Sequence, residues 1–190
     1  PCRRRPRWKP DRRLITSRDN ERLKLVRKLR DRRWRDKLGL FVVEGEDLVD
    51  AAAGVEPVDR LVAGEDVEPA LLAEVSALAH PPRVIAVYRR DDLPRGTRPV
   101  TLALWHVADP GNVGTLVRAA DAFGAGVALS SGCADPTGPK ALRASMGSIF
   151  RVPVADFDEP AGRRVALVSR GGGPLADVDL SGEVVLVLGA

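Results

Sequence analysis

Arg118 stands in the stretch ADPGNVGTLVRAADAFGAG, residues 108–126, where a Pro-Gly turn joins a strand to a helix. Asn112 can cap that helix, and the exposed N–H groups of a first turn favour an anionic or electron-rich ligand. Val113, Leu116, Val117, Ala120 and Phe123 repeat as an apolar stripe, and Arg118 falls off it in the second turn. A guanidinium stays protonated at physiological pH and offers a planar fork of donors. Its chemistry would be phosphate binding or stabilisation of an oxyanion, although on spacing alone Arg118 reads as a surface ion-pair partner. A second block, PTGPKALRASMGSIFRVPV at residues 136–154, gathers Lys140, Arg143, Ser145 and Ser148 around Gly147, just before a strand.

Other chemistries are less well supplied. FGAGVALSSG begins G-x-G, but Leu129 stands where a dinucleotide fingerprint needs its third glycine. There is no P-loop. His80 and His106 are isolated. Glu44 and Glu46 could be imagined as an acid/base pair, but Glu44 fits better as the residue closing a strand–helix turn. Cys2 and Cys133 suit neither a disulfide framework nor a zinc site, and no metal is implied.

The elements that must position these residues follow from periodicity. Residues 1–13 are basic, proline-bearing and aperiodic, and read as an arm. A helix is expected from caps at Ser17–Asn20 to about Lys37, its stripe made by Leu25, Val26 and Leu29. Leu40–Val43, Arg60–Ala63 and Arg83–Tyr88 read as strands. Helices are expected at Glu46–Ala53 and through Leu71, Leu72, Val75 and Leu78, which implies a small sheet with parallel pairing. After a polar, proline-bearing linker the pattern restarts. Strands are expected at Val100–Val107, Gly126–Ser130, Val165–Ser169 and Val184–Leu188, and helices at Asn112–Phe123 and Pro139–Ser148. The run VVLVL fits a parallel sheet covered on both faces. The overall expectation is α/β, with 1–13 an arm, 14–93 a small domain, 94–99 a linker and 100–190 a second domain.

The charge is lopsided. Net charge over the 190 residues is +4, yet Pro1–Lys37 carries 17 Lys/Arg against 5 Asp/Glu, and the remainder is acidic. A basic end on an acidic body is the footprint of a polyanion-binding segment. Arg3, Arg4, Arg5 and Arg7 are its densest part, with Trp8 and Trp34 available to stack on unpaired bases. With 44% apolar residues the chain can build a core. It shows no membrane-spanning run and no signal-peptide pattern, so the cytoplasm is the expected address. Lacking an initiator Met and stopping after an apolar run, it reads as a fragment.

DPGNVGTLVRAADAFG is similar, at nearly every position, to the first motif of the SpoU/TrmH family of RNA ribose 2′-O-methyltransferases in the SPOUT superfamily. KALRASMGSIFRVPV resembles the family's next block. ITSRDNERLKLVRKLRDRRWRDKLGLFVVEGEDLVDAA resembles the start of its substrate-binding domain, and VVLVLGA the entry to its second motif. The resemblance implies an L30e-like domain followed by a SPOUT (α/β-knot) methyltransferase domain, incomplete because the later motifs lie beyond Ala190. It also implies S-adenosylmethionine as cofactor and structured RNA as partner, ribosomal or transfer RNA with ribosomal the favoured one, and a homodimer in the intact protein. Arg118 takes the catalytic role and Asn112 orients the ribose or holds the loop. Arg143, Ser145 and Ser148, with Lys140, would hold RNA phosphate, and Gly189, Leu188 and Ser169 would meet the cofactor. The connection DFDEPAGRR, residues 156–164, is shorter than the helix expected there. The alternative is a non-catalytic RNA-binding protein that keeps the fold without a complete cofactor pocket.

Overall fold

The computed structural model describes residues 14–189; the arm with Arg3, Arg4, Arg5 and Arg7 lies outside the described residues. The chain divides after Asp92 into two compact units.

In the first unit the helix expected to run unbroken to Lys37 is two helices, α1 (Glu21–Leu29) and α2 (Arg32–Leu38). Asn20 caps α1 by accepting from the Arg22 N–H at 2.9 Å. Asp31 breaks the run because its carboxylate accepts from the Arg33 N–H and so starts a new helix. Buried Arg35 compensates the break, donating to the orphan carbonyls of Leu29 and Arg30 at 2.9 and 2.7 Å. Gly39, left-handed at φ 64°, ends α2.

Strands β1 (Leu40–Glu44), β2 (Asp59–Val62) and β3 (Val84–Arg89) form a sheet in the order β1-β3-β2, with both pairings antiparallel. This corrects the expected parallel pairing. The helix α3 (Glu46–Ala51) does return the chain so that β1 and β2 point the same way, but it leaves a strand-wide slot between them that β3 fills in the opposite sense. Leu23, Val26 and Leu29 of α1, Leu72 and Val75 of α4 (Pro69–Val75), and Val42, Leu61, Ile85 and Val87 of the sheet share one core. The opposite sheet face carries Phe41, Val43, Ala86 and Tyr88, all buried. Helix α4 stops at Val75, short of Leu78. The Ser76 hydroxyl and Ala77 N–H donate to the Glu44 carboxylate at 2.5 and 2.8 Å, so Glu44 ties strand to loop and is not an acid/base group.

The second unit is a parallel five-stranded sheet: β4 (Val100–Trp105), β5 (Gly126–Leu129), β6 (Val154–Asp156), β7 (Arg163–Ala166) and β8 (Val184–Gly189), in the order β6-β5-β4-β8-β7. Residues 94–96 pack on β6, since Pro94 O accepts from the Val154 N–H and the Gly96 N–H donates to Val154 O. From β4 the chain steps outward through α5 (Pro110–Ala122) and α6 (Pro139–Ser145) to the β6 edge. It then crosses to the far edge, and β8 inserts beside β4.

That crossing uses only the six residues between β6 and β7. Four strand spacings amount to about 19 Å, within the ~3.3–3.6 Å per residue of an extended chain but beyond a helix of that length. The segment opens with a turn in which the Glu159 N–H donates to Asp156 O at 3.1 Å and continues without a helix, and Phe157 at its start packs on a face lined by Ala103, Ala128, Ala155 and Val185. Small side chains there let backbone approach where a helix would otherwise lie. Coverage of the sheet is uneven. Val184 and Val185 of β8 are buried, but Leu186–Leu188 are only half-buried and β7 is largely exposed, so full cover of VVLVL on both faces is not found. No helix among the described residues is long and apolar enough to cross a membrane.

Candidate active site at the strand ends and helix α5

In a parallel sheet the crevice for a ligand opens outside the carboxyl ends of the strands, where the winding reverses. Here that point lies between β4 and β8, with Trp105 opposite Gly189. The loop leaving β4 is held by polar contacts that composition did not reveal. The His106 N–H donates to Ser130 Oγ at 2.9 Å, and buried Cys133 Sγ donates to Leu104 O at 3.1 Å. His106 takes a left-handed φ of 53°, and its ring stacks edge-on against Trp105 at 4.5 Å. Cys133 is thus a structural thiol pinning two strand ends together.

Asp109, not Asn112, caps α5. Its carboxylate accepts from the Asn112 N–H at 2.9 Å, which places Asn112 one turn inside the helix. The sequence favoured Asn112 because Pro110 obscured the start, yet proline suits the first helical position. Lys140 closes the same corner through a 2.7 Å bond to Asp109 Oδ2. The Lys140 ammonium, and then the Asn112 N–H, hold the Asp109 carboxyl below the usual carboxylate range.

Val113, Gly114, Val117 and Ala120 form the buried side of α5, but Leu116 is only half-buried and Phe123, expected in the same buried stripe, sits at the C-cap and is exposed; Asn112, Thr115 and Arg118 recur every third residue along the exposed side. Gly114 sets the approach of α6: a Cβ there would lie 2.7 Å from Ala144 Cβ and still closer to the Ala141 carbonyl oxygen. A backbone carbonyl inside a helix cannot swing away, so Gly114→Ala is expected to destabilise the unit by about 3 kcal/mol, the upper end for an overpacked core. Urea unfolding followed by circular dichroism measures it; a loss under about 1 kcal/mol would mean that the two helices are free to part.

Helix α6 ends at Ser145, earlier than expected, because Met146 and Gly147 are both left-handed, at φ 49° and 81°. A single 3₁₀ turn, Ser148–Phe150, follows. Ser145 and Ser148 are 1% and 2% exposed. The Ser145 hydroxyl donates to Leu142 O, and Ser148 Oγ lies within hydrogen-bond reach of Arg151. The expectation that these two serines grip phosphate is therefore corrected: they are spent on internal bonds. Arg143 remains exposed on α6. Arg151, which the sequence did not single out, forks onto Asp121 Oδ2 at 3.0 and 2.6 Å and ties the turn to α5. Burial pushes the Asp121 carboxyl upward, but hydrogen bonds from Arg151 and Ser148 outweigh it and hold the group below its ordinary value.

Arg118 is exposed, and its Nη1 donates to Met146 Sδ at 3.1 Å. It lies eight residues beyond Pro110, about 12 Å along the helix axis, and no hydrogen bond among the described residues joins it to the Gly189 rim. Leu188 is half-buried on β8, and Ser169 is exposed beyond β7. A separate cleft of roughly 460 Å³ in the first unit is lined by Glu46, Asp47, Asp50 and Glu65 with Arg60 and Arg83. Its four carboxylates repel a polyanion, so the cleft is not the site. No group of three or more metal-ligating side chains occurs among the described residues.

Residues 99–190 match the SpoU rRNA Methylase family, and residues 20–90 match the MRM3-like substrate binding domain. A tRNA/rRNA methyltransferase of Synechocystis, itself uncharacterized, is 33% identical over 165 residues, covering 73% of this chain and 60% of the relative. The 23S rRNA guanosine 2′-O-methyltransferase RlmP of Bacillus subtilis is 30% identical over 164 residues, covering 77% and 66%. The chain thus spans about three-fifths to two-thirds of these relatives' length. The AdoMet-bound rRNA methyltransferase of Sinorhizobium meliloti superposes with a TM-score of 0.78 at 26% identity, covering 92% of this chain and 80% of that one. With an MRM3-like substrate-binding module ahead of them at residues 20–90, the strand-end crevice and the α5 motif lie in residues 99–190, which belong to the SpoU rRNA Methylase family.

Proposed function

We propose that this protein methylates a ribose 2′-hydroxyl of structured RNA, ribosomal rather than transfer RNA, with S-adenosylmethionine as the donor. The observation that carries the reading is Arg118: an exposed guanidinium on the helix after the β4 loop, paired with no carboxylate among the described residues. A ribose hydroxyl is a weak nucleophile at neutral pH, so the site must favour the oxyanion that develops as it attacks. Arg118 supplies a fixed positive charge and donors for that oxygen. It cannot serve as the base, so the hydroxyl proton leaves to a nearby phosphate or water. Asn112, one turn from the loop, orients the ribose. Arg143 faces solvent on α6 and is available for phosphate, while Lys140, also exposed, would have to share its ammonium with Asp109.

The β4–β8 crevice fits a cofactor of this kind. A Cβ at Gly189 would stand 2.9 Å from Trp105 O and 3.1 Å from Trp105 Cβ, so glycine there lets Trp105 close against the end of β8 at this rim. Leu188 adds a half-buried apolar edge, and Ser169 borders the same end of the sheet. When bound, S-adenosylmethionine supplies an electrophilic methyl group on a sulfonium sulfur. A homodimer belongs to the same reading. Among the described residues no hydrogen bond joins the row on α5 to the rim at Gly189, and in this reading a second copy would lie against that row.

The test is methyl transfer from tritiated S-adenosylmethionine to ribosomal RNA from a strain lacking the gene, with 2′-O-methyl positions mapped before and after. One restored methyl position is the expected result. Binding of that RNA with no transfer by the intact protein would replace the enzyme with a non-catalytic RNA-binding protein.

A further inference from the structure

We propose that Met146 is a positioning residue for Arg118, its thioether holding the guanidinium in place without neutralising it; this rests on the role given to Arg118 above. The contact is direct, with Arg118 Nη1 donating to Met146 Sδ at 3.1 Å across the α5–α6 crossing. Two other arginines are treated differently. Arg22 and Arg151 are each bonded to an aspartate, at 2.5 and 2.6 Å. A carboxylate on Arg118 would cancel the charge that a developing 2′-oxyanion needs, and would compete with it for the same donors. A thioether sulfur is a weak, polarizable acceptor. It restricts where the fork points and surrenders it readily to an anion.

The backbone supports the assignment. Among the described residues only His106 and Met146 are non-glycine residues at positive φ, a region disfavoured for any side chain with a Cβ. Core packing does not account for it at Met146, which is 63% exposed. The left-handed turn at Met146 and Gly147 ends α6 and brings the thioether to Arg118, while the close approach at Gly114 brings the two helices into range.

Met146→Leu removes the acceptor, and Met146→Gln supplies an amide carbonyl in its place. Both carry a Cβ in the same strained conformation, so comparing them isolates the acceptor. With tritiated S-adenosylmethionine and ribosomal RNA from a strain lacking the gene, Met146→Leu is expected to lower kcat about threefold to tenfold, with KM for both substrates within about twofold. Met146→Gln is expected to stay near the parent. Parent turnover in Met146→Leu, or an equal loss in Met146→Gln, overturns the proposal. A second measurement does not depend on activity. Met146 is the only methionine of the 190 residues, so a 13C-methyl-methionine label reports on it alone. In Arg118→Gln that methyl resonance is expected to shift and sharpen, and an unchanged signal overturns the contact. Full activity of Arg118→Ala would instead remove the role of Arg118 itself.

Discussion

Arg118→Ala is expected to lower kcat by about a hundredfold or more, while the dissociation constants for RNA and S-adenosylmethionine stay within a few-fold. The size follows from what is lost. One preorganised donor aimed at a developing oxyanion contributes roughly 3–4 kcal/mol to lowering the barrier. Little of that is felt in the ground state, because the hydroxyl is neutral until it attacks. Fold stability should hardly change, since Arg118 is exposed and, among the described residues, its one side-chain hydrogen bond is to the Met146 sulfur. Arg118→Lys should recover little, because an ammonium lacks the planar fork and the reach of two nitrogens. Single-turnover kinetics of both variants beside the parent separate binding from chemistry. Near-parent turnover in either would sink the assignment. A rise in KM with kcat intact would make Arg118 an RNA-binding residue only.

The largest stability effect is expected at Arg22, in the first unit. Its guanidinium is 6% exposed and bonded to Asp59 through Nε and Nη2, with a further 2.8 Å bond to Arg60 O. Arg22→Met keeps the aliphatic volume but leaves the Asp59 carboxylate, itself 7% exposed, without its partner. Stranding a buried charge in this way costs about 3–5 kcal/mol. Arg22→Met combined with Asp59→Asn should recover much of the loss, because the stranded charge is gone and an amide is far less costly to bury. Chemical denaturation followed by tryptophan fluorescence reads both, with Trp34 of α2 in the same unit. A loss near 1 kcal/mol in the single variant would mean that water reaches Asp59 and the pair behaves as a surface bridge.

Much of the second unit was legible in one dimension. Val113, Val117 and Ala120 announce the buried side of α5 through 3.6-residue periodicity, and the apolar runs at β4, β5 and β8 announce parallel strands. The motif around Arg118 was legible for a similar reason: a strand, a Pro-Gly turn and a helix are consecutive, so local spacing carries the geometry. Boundaries were harder. Asp109 beat Asn112 as cap, and Asp31 split a helix whose periodicity runs straight through it. A single capping hydrogen bond decides such ends, and periodicity averages over it.

What the amino-acid order determined by itself was the set of elements, the basic bias of the first 37 residues and the residues offered for chemistry. Only the tertiary structure decided which of those residues remain available. Ser145 and Ser148 look like phosphate ligands in sequence, yet they are buried and bonded internally. Arg118 looks like a surface ion-pair residue by spacing, yet among the described residues no carboxylate pairs with it and the methionine that ends α6 meets it instead. Strand direction in the first sheet was also beyond reach, because alternation along a strand records which face is buried and not which way its neighbour runs. The physical reason is common to all three. Burial, pairing and charge neutralisation are set by residues distant in sequence, such as Asp59 for Arg22 and Met146 for Arg118, and these meet only when the chain folds.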